Sequence, residues 1–212
     1  MSEKEKFKKK LLVEGNSDQR VVSELITILD IQLNFDFRIS GGIDPLIAGI
    51  PVLLKRPDLY DTLGLIVDAD TNVLARWQKI KTVFFNSGIN LPKELPSSGL
   101  IYSQPDGIKI GVWIMPNNHL PGMLEDFITF LVPKDDELIP IVVTHLDNIE
   151  EKKLNKYNKE IHKSKALIHS WLAIQENPGT PLGRSITKKY LTTDSKTCSI
   201  FVNWLKELFK DE

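Results

Sequence analysis

The sequence predicts an α/β fold in which a mostly parallel sheet is flanked by helices, and three observations support this prediction. Short apolar runs alternate with segments whose apolar residues recur at helical spacing. Glycine, proline, asparagine and aspartate cluster between the two kinds of segment, as they do in turns. The composition is that of an ordinary globular protein, with 42% hydrophobic and 26% charged residues.

Each predicted strand is an apolar run bounded by turn residues. The runs cover residues 10–13, 35–39, 63–67, 100–103 and 109–115, and a turn at residues 105–107 separates the last two. Residue types that cap a first turn predict where the early helices begin. Asn16 or Ser17 is expected to cap the helix after the first strand, and Asp44 the helix after the second.

The helices are predicted from apolar stripes at a spacing of three and four residues. They cover about 17–29, 44–54, 73–85, 164–175 and 199–209, and the loop MPNNHLPG leads into a further helix. Residues 91–99 are rich in proline, serine and glycine and are predicted to form a loop. From about Leu138 the chain is expected to be mainly helical. We therefore place an α/β core at residues 1–137 and a helical C-terminal extension at 138–212, packed on the core as one domain.

Several classes of protein are disfavoured by the sequence. No apolar run approaches the roughly 18 residues that cross a bilayer, so no membrane partner is expected. Residues 1–10 lack the apolar segment of a signal peptide, which makes the cytoplasm the expected location. Cys198 is the single cysteine, so an internal disulfide is excluded, and it is expected to be a packed residue.

The net charge of −1 hides an asymmetry along the chain. Residues 1–150 hold 15 basic and 21 acidic residues, whereas residues 151–212 hold 12 basic and 7 acidic ones. A basic face near the C-terminus could meet the phosphates of a nucleic acid. The alternative is that these lysines only solvate helices.

Three carboxylates follow two of the predicted strands. Glu14 comes directly after the first strand, and Asp68 and Asp70 come after the third. Ligands of parallel α/β sheets bind at the carboxyl ends of the strands, so these side chains could converge there. Carboxylates a few Å apart oppose each other's ionisation, and Mg²⁺ or Mn²⁺, which prefer oxygen ligands, would relieve that cost. For single residues the alternative is structural: Asp70 or Thr71 could simply cap the next helix.

The segments LLVEGNSD and LGLIVDAD together resemble the Toprim signature of primases, topoisomerases and OLD-type nucleases. GVWIMPNNHLPGMLEDF and KALIHSWLAIQENPGTPLG resemble segments of a bacterial family of Toprim-related proteins described as a domain of unknown function, and this resemblance extends over nearly the whole chain. The resemblance implies a Toprim-like, Rossmannoid sheet. It also implies a site that binds Mg²⁺ or Mn²⁺.

Carried over by position, the resemblance makes Glu14 a metal ligand or general acid/base and makes Asp68 and Asp70 metal ligands. Asp18 fills an acidic position often seen after the Glu-Gly turn, although the first turn of a helix also favours acids through the helix dipole. By analogy of location, Glu125 and Asp126 are candidates for a second metal. The alternative for these two is solvation on a helix surface.

The chemistry implied is phosphoryl transfer on nucleic acid, as in a metal-dependent nuclease or phosphodiesterase. Such a site also needs a basic group, and Lys109 is the nearest candidate by sequence. Asn117 and Asn118 could contact the substrate from the loop after the fifth strand. The alternative is that these asparagines only shape a turn. His119 in the same loop could carry a proton, but a surface histidine is the alternative.

Other functions remain open at this stage. The chain has no GxxxxGK[ST] phosphate loop and no identifiable tyrosine or primase module, so an enzyme would be a stand-alone module or part of a complex or homo-oligomer. The DADTNV segment resembles the DxDx[TV] motif of haloacid-dehalogenase-type phosphatases, but it follows the third strand and leaves Glu14 without a role. A non-catalytic module that binds nucleic acid or a protein partner is the remaining alternative.

Overall fold

The computed structural model describes residues 6–56, 60–103 and 107–210 and confirms the α/β fold. It has a five-stranded, mostly parallel sheet. The strands are β1 Lys9–Val13, β2 Asp36–Ile39, β3 Thr62–Asp68, β4 Leu100–Tyr102 and β5 Lys109–Met115. Each lies within two residues of a predicted apolar run. The predicted turn at 105–107 lies mostly outside the described residues.

The strands are arranged in the order β2-β1-β3-β5-β4. β1, β2, β3 and β5 are parallel, and only the edge strand β4 pairs antiparallel. The most apolar strands, β3 and β5, therefore lie inside the sheet, where both faces are covered. Because β1 and β3 are parallel neighbours, the residues that follow them meet at one edge of the sheet.

Eight helices lie within the described residues. They are α1 Asn16–Ile28, α2 Ile43–Leu54, α3 Val73–Asn86, α4 Leu124–Thr129, α5 Leu138–Glu151, α6 Lys159–Leu172, α7 Leu182–Thr187 and α8 Lys196–Phe209. The C-terminal part is mainly helical. In the described ranges, none of these helices has the length and apolar character needed to span a membrane.

The helices form two layers, one on each face of the sheet. Alternate side chains of the parallel strands pack with α2 and α3 on one face, for example Leu65 and Val112. The other face packs with α1, α4 and the C-terminal helices, for example through Ile66 and Trp113. Cys198 is buried in this second core, as expected of a packed residue. The C-terminal helices thus contribute side chains to this second core.

Helix α8 contacts the backbone of two central strands through glycines. Gly64 of β3 and Gly111 of β5 are paired in register. A Cβ atom at Gly111 would lie 2.3 Å from Leu208 Cδ2, and one at Gly64 would lie 2.9 Å from the same atom. The absence of side chains at these two positions therefore lets α8 pack directly on the sheet.

Several boundaries differ from the sequence predictions for local reasons. The N-cap of α1 is Gly15, not Asn16 or Ser17, because the Asp18 carboxylate accepts a hydrogen bond from the Gly15 N–H. Gly42 takes the N-cap position of α2, which leaves Asp44 in the first turn. Helix α6 begins five residues before the expected start.

We expect Gly111→Ala to lower the free energy of unfolding by about 1–3 kcal/mol, because the added methyl group would overlap Leu208 in a packed core. Urea denaturation followed by circular dichroism would measure the change. Gly49→Ala in α2 is the matched control, since its nearest neighbour is 3.9 Å away and helical alanine is favoured over glycine. Equal stabilities of the two variants would contradict the close approach of α8.

Candidate active site

The carboxylate of Glu14 links the ends of β1 and β3. Val13 pairs with Ile66 in the parallel ladder, so the next residues of the two strands are neighbours. Glu14 Oε1 accepts a hydrogen bond from the Asp68 N–H at 2.9 Å. The backbone of Glu14 also has a role, because its carbonyl accepts the N–H groups of Gly41 and Gly42, each at 2.9 Å. The junction therefore joins three strand ends.

Backbone N–H groups hold one oxygen of each neighbouring carboxylate. Asp68 Oδ1 accepts from the Leu124 N–H at 3.0 Å, and Asp18 Oδ2 accepts from the Gly15 N–H at 2.8 Å. Asp68 Oδ2 and Glu14 Oε2 have no hydrogen bond within the described ranges. These carboxylates are oriented by the backbone while one oxygen of each stays available.

A two-bond backbone bridge ties the Asp-x-Asp loop to the turn before α4. The Asp70 N–H donates to Gly122 O at 3.0 Å, and the Gly122 N–H donates to Asp70 O at 2.7 Å. Gly122 has φ +136°, and a Cβ atom there would lie 2.6 Å from Asp126 Oδ2. Glycine is required here on both grounds. The bridge brings α4, with Glu125 and Asp126, beside the strand ends.

The strand ends open into a pocket of about 540 Å³. Four of the predicted metal-binding residues line it: Glu14, Asp18, Asp68 and Glu125. Its other walls are the glycine turn 41–42 after β2 and, from α6, His162 and Lys165. We call this the carboxylate pocket.

The two remaining predicted metal ligands lie in an adjacent pocket of about 380 Å³. Asp70 and Asp126 line it together with Lys159 and Lys163 of α6. Asp126 Oδ2 accepts the Met123 N–H at 2.8 Å, so part of its role is to hold the first turn of α4. The structure thus divides the six predicted ligands into a group of four and a pair.

Burial and mutual repulsion raise the pKa values of the carboxylates in the pocket. The pKa of Asp68 is raised to about 9, first by burial and then by the charges of Asp18, Glu14 and Glu125. Burial likewise raises the pKa of Asp18 to about 6, with a contribution from Glu125. The pKa of Glu14 is raised by burial too, although the Asp68 N–H and Arg76 oppose the shift. Without a cation, Asp68 therefore keeps its proton at neutral pH.

Basic side chains from two helices surround these acids. Lys165 Nζ lies 3.4 Å from Oε1 of the buried Glu125. Arg76 of α3 forms an ion pair with Asp70, and its charge also lowers the pKa of Glu14. The pocket is consequently lined by carboxylates and also by a basic side chain, that of Lys165.

The other sequence candidates lie away from the carboxylate pocket. Lys109, predicted as the basic group, lies at the opposite end of the strands from the pocket, because it pairs with Thr62 at the start of β3. At about 3.3 Å per residue it is roughly 20 Å from Asp68, and its Nζ donates to Glu207 O at 2.9 Å. The prediction for Lys109 is therefore corrected by parallel pairing, which places strand starts and ends far apart.

The two asparagines predicted to contact the substrate shape the loop after β5 instead. Asn118 is buried, and its Oδ1 accepts the Ile114 N–H at 2.7 Å. Asn117 Oδ1 accepts the Leu120 N–H at 2.9 Å and closes a turn. His119 is exposed in this turn. None of the three lines the carboxylate pocket, so the structural alternative applies to them.

The donor set suits a hard divalent cation in its chemistry, since it consists of carboxylate oxygens. Its geometry is not preassembled: within 6–56, 60–103 and 107–210, no three Asp, Glu, His or Cys side chains are grouped as metal ligands.

Some lining residues were not expected from the sequence. His162 and Lys165 lie in the lysine-rich stretch whose alternative interpretation was solvation of helices. Arg76 follows Asp70 by six residues, a spacing that carries no recognised motif. The glycine turn 41–42 follows the second predicted strand and carries no side chain that would indicate a site. Only the packing of α6 and α3 around the strand ends identifies these residues.

Residues 8–210 match the family described as "Protein of unknown function (DUF3226)", and the chain belongs to this family. The match covers both the strands that carry the carboxylates and the helices that carry the basic residues. No curated protein and no solved structure matches the chain.

The raised pKa of Asp68 predicts how stability depends on pH in metal-free buffer. The folded state holds a proton that the unfolded chain releases near pH 4, so stability falls as the pH rises from about 4 to about 9. The limiting slope for one proton is about 1.4 kcal/mol per pH unit. We expect Asp68→Asn to flatten this decline and to raise the melting temperature at pH 8 relative to wild type.

Thermal melts at pH 5 and pH 8 in EDTA would measure this effect. Asp135→Asn, which removes an exposed aspartate, is the control and should follow the wild-type pH dependence. If Asp68→Asn loses stability between pH 5 and pH 8 as steeply as wild type, Asp68 is not the group that holds the proton.

Proposed function

We propose that the carboxylate pocket is a divalent-cation-dependent phosphoryl-transfer site and that the protein is a nuclease acting on nucleic acid. One observation carries the proposal. Asp68 is partly buried at a strand end beside Glu14 and the buried Asp18 and Glu125, and this arrangement disfavours ionisation of Asp68 in the absence of a cation. Carboxyl groups whose pKa values are shifted by burial and by neighbouring charges in a cleft cluster at functional sites.

The cation proposed is Mg²⁺ or Mn²⁺, held by Glu14, Asp68 and Asp18, with Glu125 as a further ligand. Such an ion, when bound, activates a water molecule and stabilises the leaving oxygen of a phosphodiester. Asp68 would lose its proton on binding, because a neighbouring cation favours the ionised form. Metal affinity should therefore increase with pH.

The alternative role for Glu14 is to move a proton, with the cation held by Asp68, Asp18 and Glu125. Glu14 Oε1 is fixed by the Asp68 N–H, while Oε2 is left available at the pocket. Burial raises its pKa, which brings it closer to the range in which a carboxylate works as a general base. The backbone hydrogen bond fixes the orientation that such a transfer needs.

The side chains that α6 contributes to the pocket support a phosphate-containing substrate. Lys165 and His162 of α6 line the same pocket as the carboxylates, so a phosphate that enters would meet the Lys165 ammonium and the His162 ring. We propose Lys165 as the basic group of the site, which is the role that the sequence predicted for Lys109. The excess of basic over acidic residues in 151–212, to which α6 belongs, is consistent with a polyanionic substrate.

The resemblance to Toprim proteins is a second, independent support. LLVEGNSD and LIVDAD, which carry it, are the segments that end β1 and β3. The proposal of a nuclease and not another phosphoryl-transfer enzyme rests on this resemblance.

A non-catalytic nucleic-acid-binding module is the second candidate. The observation in its favour is that Lys165 already lies 3.4 Å from Glu125, so part of the buried negative charge is compensated by the protein. In that case the pocket would keep its shape without a metal. Metal binding and cleavage separate the two candidates.

We expect the purified protein to cleave single- or double-stranded nucleic acid when Mg²⁺ or Mn²⁺ is added. Glu14→Gln and Asp68→Asn should each reduce the rate at least about 100-fold, because each removes a charged ligand or proton acceptor. Fluorescently labelled oligonucleotides resolved on gels would give the rates, and calorimetric titration with Mn²⁺ would give the metal affinity.

Glu94→Gln and Asp135→Asn are the matched controls, since both acids are exposed and away from the pocket. Cleavage by Glu14→Gln and Asp68→Asn at the rates of these controls would remove the proposed site. Metal binding by wild type with no cleavage of any nucleic acid would favour the binding module.

A further inference from the structure

A third, smaller pocket lies at the N-terminal end of α3. Its volume is about 240 Å³, and it is lined by loop 69–72 and, from the first turns of the helix, Ala75, Arg76 and Lys79. The positive end of the helix dipole faces this region. Two basic side chains and a helix N-terminus therefore meet in one concavity.

Arg76 distinguishes this pocket from an ordinary helix N-terminus. Its side chain is only 9% exposed, and its Nε has no hydrogen-bond partner within the described part of the chain. Its guanidinium bonds to the Asp70 carboxylate through Nη2. A guanidinium has five donors, and a buried cation normally has them satisfied. The bond to Asp70 therefore holds Arg76 in place, while its Nε–H donor has no partner within the described part of the chain.

Lys79 follows one helical turn later and lines the same pocket. Its ion pair with Asp44 joins two exposed side chains, with the lysine 49% and the aspartate 82% exposed. Exposed pairs of this kind contribute little to stability and exchange partners readily. Lys79 can therefore turn to an anion in the pocket at small cost.

The pocket lies directly beside the carboxylate pocket. Ala69 and Asp70, which line it, directly follow Asp68 of the carboxylate pocket, and Asp70 also lines the adjacent pocket that holds Asp126. A group bound at Arg76 would consequently be a neighbour of a group reacting at Asp68 and Glu14.

We propose that Arg76 and Lys79 bind a phosphate of the substrate next to the one that reacts. The proposal rests on the function proposed above and narrows its substrate class. A polynucleotide chain carries successive phosphates that can fill both pockets, whereas a mononucleotide monophosphate fills one. Arginine suits this role because its planar fork matches the oxygens of a phosphate.

Asp70 competes with that phosphate for the same guanidinium. Its side chain is 47% exposed, so it can leave Arg76 and remain solvated. Replacing Asp70 by asparagine removes the competing charge and should strengthen phosphate binding. Replacing Arg76 should weaken it, so the two changes have opposite signs.

The test measures the binding of a fluorescent single-stranded oligonucleotide in EDTA over a range of salt concentrations. We expect Arg76→Gln to weaken binding about tenfold or more, as for loss of a charged hydrogen bond, and to reduce the salt slope by about 0.7. Lys79→Gln, at an exposed position that folding tolerates, should weaken binding less, and Asp70→Asn should strengthen it. Lys81→Gln removes one charge from the same helix outside the pocket and is the control.

The outcomes separate this inference from the proposed function. If wild type cleaves with Mn²⁺ but Arg76→Gln and Lys79→Gln bind like Lys81→Gln, the phosphate subsite is overturned and the nuclease stands. If wild type neither binds Mn²⁺ nor cleaves, yet Arg76→Gln selectively loses affinity, the subsite stands and the nuclease fails. An oligonucleotide that does not bind wild type overturns the subsite.

Discussion

The burial of Asp68 and its repulsion by neighbouring carboxylates are the constraint to which the rest of the site responds. Burial and neighbouring charges raise the pKa of Asp68 to about 9. Backbone N–H groups of Asp68, Leu124 and Gly15 each hold one oxygen of a carboxylate and offset part of this cost. These hydrogen bonds orient the acids, yet they leave the pKa of Asp68 well above its ordinary value.

The helices farther along the chain complete the site that the strand ends begin. α6 contributes Lys165 and His162, and α3 contributes Arg76, so each basic group comes from a helix that also packs in one of the two cores. Helix α8 supports the opposite part of the sheet, where Gly64 and Gly111 allow it to contact the strand backbones. Core packing on both faces thus holds the acidic and basic groups in fixed relation.

The predicted elements agree with the structure wherever the hydrophobic pattern is strong, as in β3, β5 and α3. The helix caps were less predictable, because several residues near a strand end can accept an N–H group. Asn72, not Asp70 or Thr71, caps α3. This result removes capping as the reason for an aspartate at position 70, which instead pairs with Arg76.

By itself, the sequence determined that Glu14 and Asp68 follow apolar strands, and this sufficed to predict their convergence, since parallel strands place their carboxyl ends at one edge. Tertiary structure alone decided which cations meet these acids. Lys109 lies on a predicted strand yet at its far end, whereas Lys165 lies 97 residues beyond Asp68 and reaches the pocket. Strand alternation and pairing are local and periodic, but the approach of a helix depends on the packing of both cores, which no short segment encodes.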